Sequence, residues 1–292
     1  MHTRRPTAVI TSRQPSVWPR TLSGVMLGGL LLMQACSHTP VKTPEKKTWD
    51  EAMPGGVNQA SCIPKAGKRH VFLIHGTLHS SSLSFNALAP RLSQAGYCTW
   101  ARDYGVIDPK DPLKGRQPVV DSAKEVAGAI DEVLRKTGNN KIDLIGFSQG
   151  GLIGFYLLKQ AAYAGKVNQL IAISPSIRGT SNEASLRFNA GGQCPACADQ
   201  YAQSSFIKTF NANPLTVPGV RYTVLATRDD WIVTPPESQL VNEAGVRNFM
   251  MQDVFPGKSV SHVGMMYDDA VAGLVISLLN GDAVPGSVVR TP

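Results

Sequence analysis

The stretch Asp143-Leu-Ile-Gly-Phe-Ser-Gln-Gly-Gly-Leu152 decides how the rest of the chain is read. Apolar residues lead into Gly146-Phe147-Ser148-Gln149-Gly150, and a second apolar run at helical spacing leaves from Gly151. This is G-x-S-x-G with a strand entering and a helix leaving. So sharp a turn forces the serine into a strained backbone conformation, and small residues two places to either side let the neighbouring backbones pass. The turn lifts Ser148 Oγ clear of the sheet and sets the Gln149 N–H beside it. Ser148 is therefore the candidate nucleophile. A chance match in a Gly-rich chain is the competing reading, and the flanking strand and helix patterns speak against it.

Working outward, buried-strand patterns alternate with helical ones. Val71–Ile74 is a continuous apolar run, as expected of a strand covered on both faces. Ser80–Gln94 carries Phe85, Leu88 and Leu92 at helical spacing, and Gly96–Arg102 is the next strand. Ser122-Ala-Lys-Glu125 has the form of a capping box opening a helix that stops at Gly138. Lys141–Phe147 is the strand into Ser148 and Gly151–Tyr163 the helix out of it. Further strands are expected at Gln169–Ser174, Tyr222–Thr227 and Asn248–Val254, with a closing helix at Asp269–Leu279. The alternation predicts an α/β fold, a mostly parallel sheet with helices on both faces. About 45 residues between Ser174 and Tyr222 break the rhythm. So long an insertion is usually functional, and a cap over the site, at about 179–219, is expected.

A serine hydroxyl is a weak nucleophile at neutral pH and needs an imidazole to take its proton. Where the serine sits on a strand–helix turn of this kind, an Asp or Glu and then a His follow it along the chain. Of six histidines only His262 lies downstream of Ser148. The carboxylate that orients it should end the preceding strand, where Asp229 and Asp230 stand together. Spacing does not separate them, and Asp253 falls inside the next strand pattern. The oxyanion needs a second backbone N–H besides that of Gln149. His75-Gly76-Thr77 supplies one at Thr77, whose hydroxyl is a further donor, while His75 and His79 read as wall residues. No metal site or cofactor is expected.

The chain has 292 residues, with 42% hydrophobic and 17% charged, as in ordinary globular proteins. Residues 1–35 read as a signal peptide: Arg4, Arg5, Arg13 and Arg20 precede an apolar run at Leu22–Met33, too short to span a bilayer comfortably. The run ends in Leu32-Met-Gln-Ala-Cys36. A Cys after a small residue here resembles a lipoprotein lipobox, which makes Cys36 a candidate for lipidation; the alternatives are a freely secreted product and an uncleaved anchor. Residues 36–56 read as a flexible tether and 57–292 as the catalytic domain. Removing the first 35 residues leaves a mildly basic remainder with no dense basic patch, so nucleic acid is not an expected partner. A monomer is expected. Export implies oxidising surroundings. Four cysteines beyond Cys36 allow three pairings, of which we favour Cys62–Cys98, between neighbouring segments, and Cys194–Cys197.

Four stretches together resemble the bacterial class 2 lipases of the α/β-hydrolase superfamily: Val71–Thr77, Gly96–Gly105, Leu144–Gly151 and Leu225–Pro235, with His262 behind them. The resemblance spans roughly Ser61 to Asn280, and the fourth stretch, T-R-x-D-x-x-V-T-P, is the most specific. It implies that Asp230 is the acid, although this chain has Asp229 where the family usually has an aromatic and Trp231 where it has an acidic residue. The family's cysteines before the first strand and in G-Y-C support the pairing of Cys62 with Cys98. It also implies hydrolysis of carboxylic esters, mainly acylglycerols, through an acyl-serine intermediate without a cofactor. The rivals are a phospholipase or polyester depolymerase of the same fold, or a non-catalytic envelope protein.

Overall fold

The computed structural model describes residue 53, residues 55–285 and the backbone of 288–289. The export segment, Cys36 and nearly all of the tether lie outside the described residues. Seven strands form one sheet: β1 (His70–Ile74), β2 (Cys98–Ala101), β3 (Ile142–Phe147), β4 (Val167–Ile173), β5 (Arg221–Ala226), β6 (Val246–Met250) and β7 (Val288–Val289). Their order is β2-β1-β3-β4-β5-β6-β7, with β1 to β6 parallel and β7 antiparallel at the edge. The helices are α1 (Ser81–Phe85), α2 (Leu88–Gln94), α3 (Val119–Thr137), α4 (Gln149–Leu158), α5 (Ala161–Ala164), α6 (Ala184–Phe188), α7 (Pro195–Asp199), α8 (Ser205–Phe210), α9 (Met251–Val254) and α10 (Asp269–Asn280). Among the described residues no helix is long and apolar enough to cross a membrane.

The strands are apolar on both faces because both faces are covered. Phe72, Ile74, Ile142 and Leu144 pack with α3 and α4, while their neighbours Val71, Leu73, Ile145 and Phe147 pack with α1, α2 and α10. Two-residue alternation along each strand thus feeds two separate cores, and the polar residues buried in the strands are paired: Asp143 Oδ2 accepts from Arg69 Nε at 3.0 Å and from Gln169 Nε2 at 2.9 Å.

Several local expectations are corrected. Ser122 does not open α3. The helix starts three residues earlier, directly after Pro118, and Ser122 Oγ reaches back to the Gln117 carbonyl. The first amide of the helix is capped from a distance instead, Val119 N–H donating to Asp199 Oδ2 at 2.9 Å. A long-range cap of this kind leaves no local signature. The helix after Ser148 is broken at Gln160, whose extended backbone separates α4 from the one-turn α5, which buries no side chain. β6 ends at Met250, and Asp253 lies on the helical turn α9, where it pairs with Arg228 at 2.8 Å.

The segment between β4 and β5 divides in two. Cys194, Ala196, Cys197, Ile207, Phe210 and Leu215 are buried in the same core as α3 and α4. The earlier part, through α6, buries none of the helix's side chains and lies over the site. A disulfide joins Cys194 to Cys197 across one helical turn, and a second joins Cys62 to Cys98, fastening the entry loop to β2. The latter closes a loop with a sequence separation of 36 residues. By loop-closure entropy it should contribute about 3–4 kcal/mol, against roughly half that for the short ring. Urea denaturation should therefore show a larger loss for Cys62→Ser with Cys98→Ser than for Cys194→Ser with Cys197→Ser; the reverse order would mean that the short ring does more than shorten the unfolded chain.

Candidate active site

Between β3 and α4, Ser148 holds φ 53° and ψ −118°, a region that non-glycine residues rarely enter. Such a conformation costs on the order of 1–3 kcal/mol and persists only where its surroundings over-determine it. Here the Ser148 N–H donates to the Ile173 carbonyl at 2.8 Å, and its own carbonyl accepts from Gly151 N–H at 2.9 Å. The two flanking glycines are compulsory for steric reasons. A Cβ on Gly150 would lie 2.0 Å from the Ile74 carbonyl oxygen, and one on Gly146 would lie 2.3 Å from the Gly150 oxygen.

Ser148 faces a cavity of about 320 Å3 that Thr77, His79, Phe147, Gln200, Trp231 and His262 also line. A larger cavity, about 470 Å3, is lined by Arg178, Arg228 and Asp253 among others and includes none of the candidate residues. Size does not decide between them. The smaller one holds both Ser148 and the only downstream histidine, so we take it as the site.

His262 sits in the loop between α9 and α10, with its Nδ1 2.6 Å from Asp230 Oδ2. Both residues are buried. A carboxylate only accepts, so Nδ1 carries a proton, and it is the neutral imidazole that has its lone pair on Nε2. The Asp230 carboxylate is held on every side. Oδ1 accepts from the amides of Ile232 at 2.9 Å and Val233 at 2.8 Å, and Oδ2 accepts from Gln239 Nε2 at 2.9 Å as well as from His262. Asp229, one residue earlier, has a different task. Its Oδ2 accepts from Ser259 Oγ at 2.8 Å and Val260 N–H at 3.1 Å, while Thr227 Oγ1 donates to the Val260 carbonyl at 2.7 Å. Asp229 thus braces the loop that carries His262, and Asp230 touches the imidazole. Trp231 points outward at the cavity mouth, 66% exposed, and its carbonyl accepts from Asn182 Nδ2 at 2.9 Å. Its bulk therefore stays clear of the acid.

Thr77 and Gln149 flank the same turn. Among the described residues neither amide is spent on another acceptor. Gln149 opens the ten-residue α4, where unpaired amides and the helix dipole favour negative charge. His75 is fully buried: its Nδ1 donates to the Gly76 carbonyl at 2.8 Å, its Nε2 accepts from Tyr104 N–H at 3.3 Å, and its ring stacks on that of Tyr104 at 4.0 Å. It shapes the loop that presents Thr77. His79 lines the cavity, and burial, then the neighbouring His262, pushes its pKa below the ordinary histidine value. Among the described residues no group of three or more His, Cys, Asp or Glu is placed to hold a metal ion.

Two buried glutamines have no counterpart in the sequence reading. Gln239 holds Asp230 from the turn after Pro235, and Gln200 donates to Thr77 Oγ1 at 2.8 Å from the end of α7. No spacing announces either one, because each reaches its partner only through the tertiary fold.

Residues 69–196 match the α/β hydrolase fold family. Gastric triacylglycerol lipase of Bos taurus is 32% identical over 140 residues, covering 42% of this chain and 34% of that protein. Human lipase member K is 29% identical over 128 residues, covering 38% and 32%. The chain thus spans about a third of the length of these curated relatives. Among solved structures, Aspergillus fumigatus lipase B aligns with a TM-score of 0.64 at 22% identity, over 86% of this chain and 62% of that one. Mature Bacillus licheniformis lipase BlEst2 gives 0.57 at 18% identity, over 74% and 94%. The fold of the chain is the α/β-hydrolase fold.

The division between the aspartates is open to direct test with a chromogenic ester. Asp230→Asn, which keeps the shape and loses the charge, should lower kcat by about four orders of magnitude. Asp229→Asn should cost far less, through a loosened loop. The opposite ranking would exchange the two roles.

Proposed function

We propose that this chain is a serine carboxylic-ester hydrolase, a lipase or esterase whose first substrate class is acylglycerols. The observation that carries this reading is the meeting, in one cavity, of a strained serine with a buried histidine oriented by a carboxylate. Ser148 Oγ attacks the ester carbonyl as His262 Nε2 takes its proton. The electron pair of the carbonyl collapses onto oxygen, where the amides of Thr77 and Gln149 receive it. Asp230 keeps the proton on Nδ1 and stabilises the imidazolium that forms. When the tetrahedral species breaks down, His262 delivers the proton to the leaving alcohol and an acyl group remains on Ser148. Water then enters, His262 takes its proton, and the second collapse releases the carboxylic acid and restores Ser148.

The cavity suits such a substrate. Leu78, Phe147, Phe188, Ile232 and Val233 offer an apolar wall, and each methylene laid against it is worth about 0.8 kcal/mol. The relatives named as lipases favour the same class. We further propose that residues 1–35 direct export, that Cys36 is lipidated, that 36–56 tether the 57–292 domain to a membrane, and that the enzyme acts as a monomer in the envelope or outside the cell.

A fluorophosphonate probe should label the protein at Ser148, and Ser148→Ala should abolish both labelling and p-nitrophenyl ester turnover. Turnover that survives the substitution would exclude the assignment. For the anchor, palmitate should be incorporated at Cys36 in a bacterial host, and Cys36→Ser should release soluble enzyme; an unlabelled protein would mean plain secretion.

A further inference from the structure

Gln200 is buried at the junction of α7 with the cavity, and all the hydrogen-bonding capacity of its amide nitrogen is used. Nε2 lies 2.9 Å from the Ala196 carbonyl oxygen and 2.8 Å from Thr77 Oγ1. Oε1 lies 2.7 Å from Ser176 Oγ. A carbonyl only accepts, so the contact with Ala196 fixes which end of the amide is nitrogen. Nε2 must then donate to Thr77. A hydroxyl has one proton and can accept on its lone pairs. With Gln200 occupying a lone pair of Thr77 Oγ1, the hydroxyl proton has no other acceptor among the described residues and is left to the cavity that Ser148 faces.

We propose that Gln200 is a positioning residue that aims the Thr77 hydroxyl at the oxyanion, making it a third donor beside the amides of Thr77 and Gln149. The assignment rests on the serine-hydrolase reading of the site. Gln200 is itself held from both ends. Its N–H donates to the Ala196 carbonyl at 3.0 Å, its carbonyl accepts from Thr180 N–H at 2.9 Å, and the residue before it, Asp199, caps α3. The Cys194–Cys197 ring lies in the turn just before. The segment between β4 and β5 therefore reaches the chemistry through one amide as well as covering it. Such a donor matters only as negative charge develops on the carbonyl oxygen, so its loss belongs in kcat, with little effect on ground-state binding.

The test is a double-mutant cycle on p-nitrophenyl butyrate. Gln200→Met keeps the length and removes both hydrogen-bonding ends. It should lower kcat by about tenfold or more, approaching the roughly 10²–10³-fold loss found when an oxyanion donor is removed outright, and leave KM within about twofold. Thr77→Val should lower kcat at least as much. In the Thr77→Val background Gln200→Met should cost almost nothing further, because the group it aims is gone. Gln200→Asn, which keeps an amide one methylene short of Thr77, should repeat the pattern, and thermal melting checks that each variant is folded. A kcat for Gln200→Met within twofold of wild type, or equal proportional losses in both backgrounds, would reduce Gln200 to a packing residue. Turnover that depends on Ser148 while those losses are additive overturns this assignment alone. Turnover that survives Ser148→Ala overturns the hydrolase reading and this assignment with it.

Discussion

The contact on which the structure depends is the close crossing of the first turn of α4 over the end of β1. The Ile74 carbonyl lies where a side chain on Gly150 would have to be, and the Gly150 carbonyl lies where one on Gly146 would be. With no side chains in the way, helix and sheet approach to backbone distance. That approach leaves Ser148 no room for an ordinary strand-to-helix transition, and it is driven to positive φ. The strain is maintained by the two hydrophobic cores on either side of β3, which fix the strand, and by the amide of Ser148 bonded to β4. A rigid sheet thus holds one high-energy residue at its C-terminal edge, the place where ligands meet open α/β sheets.

A second constraint follows from the chemistry. An imidazole can serve a serine only if its other nitrogen is held protonated and aimed, which demands a buried carboxylate. Such a carboxylate is stable only when its oxygens are fully hydrogen-bonded. Asp230 meets that demand with two main-chain amides, Gln239 and His262. The adjacent Asp229 uses its charge on the neighbouring loop, where it secures Val260 two residues before His262. Two like residues in sequence therefore do unlike work, because the chain turns between them and sends their side chains to different partners.

What was legible in the sequence is what depends on local pattern. The apolar runs gave the strands, since burial on both faces favours apolar side chains, and the glycine spacing gave the turn at Ser148. His262 was reached by its place in the chain. The rest was hidden for identifiable reasons. Ser122 and Glu125 have the residues of a capping box, yet α3 begins at Val119 because Asp199, eighty residues on, supplies the cap. Gln160 interrupts an apolar helical pattern that ran on to Tyr163. Spacing could not rank Asp229 against Asp230, since their difference lies in which loop each faces. Gln200 and Gln239 carry no motif at all.

These hidden residues share a property. Asp199, Gln200 and Gln239 all act through side chains that reach across the fold to complete the hydrogen bonding of a polar group: a helix amide, a hydroxyl and a carboxylate. A buried polar group left without a partner costs about 1–3 kcal/mol, so each supplies a completing bond that the local sequence lacks. Two of the three come from the segment between β4 and β5, whose later part is anchored in the main core by Cys194, Ala196, Cys197, Ile207, Phe210 and Leu215. That burial explains how a surface excursion can hold anything to within hydrogen-bonding tolerance. A cap made only of exposed helix, like α6, could cover a substrate but could not orient a hydroxyl. Anchored through Cys194, Ala196 and Cys197, the same excursion has a fixed end next to the site and an exposed end over it, and the two can serve positioning and access separately.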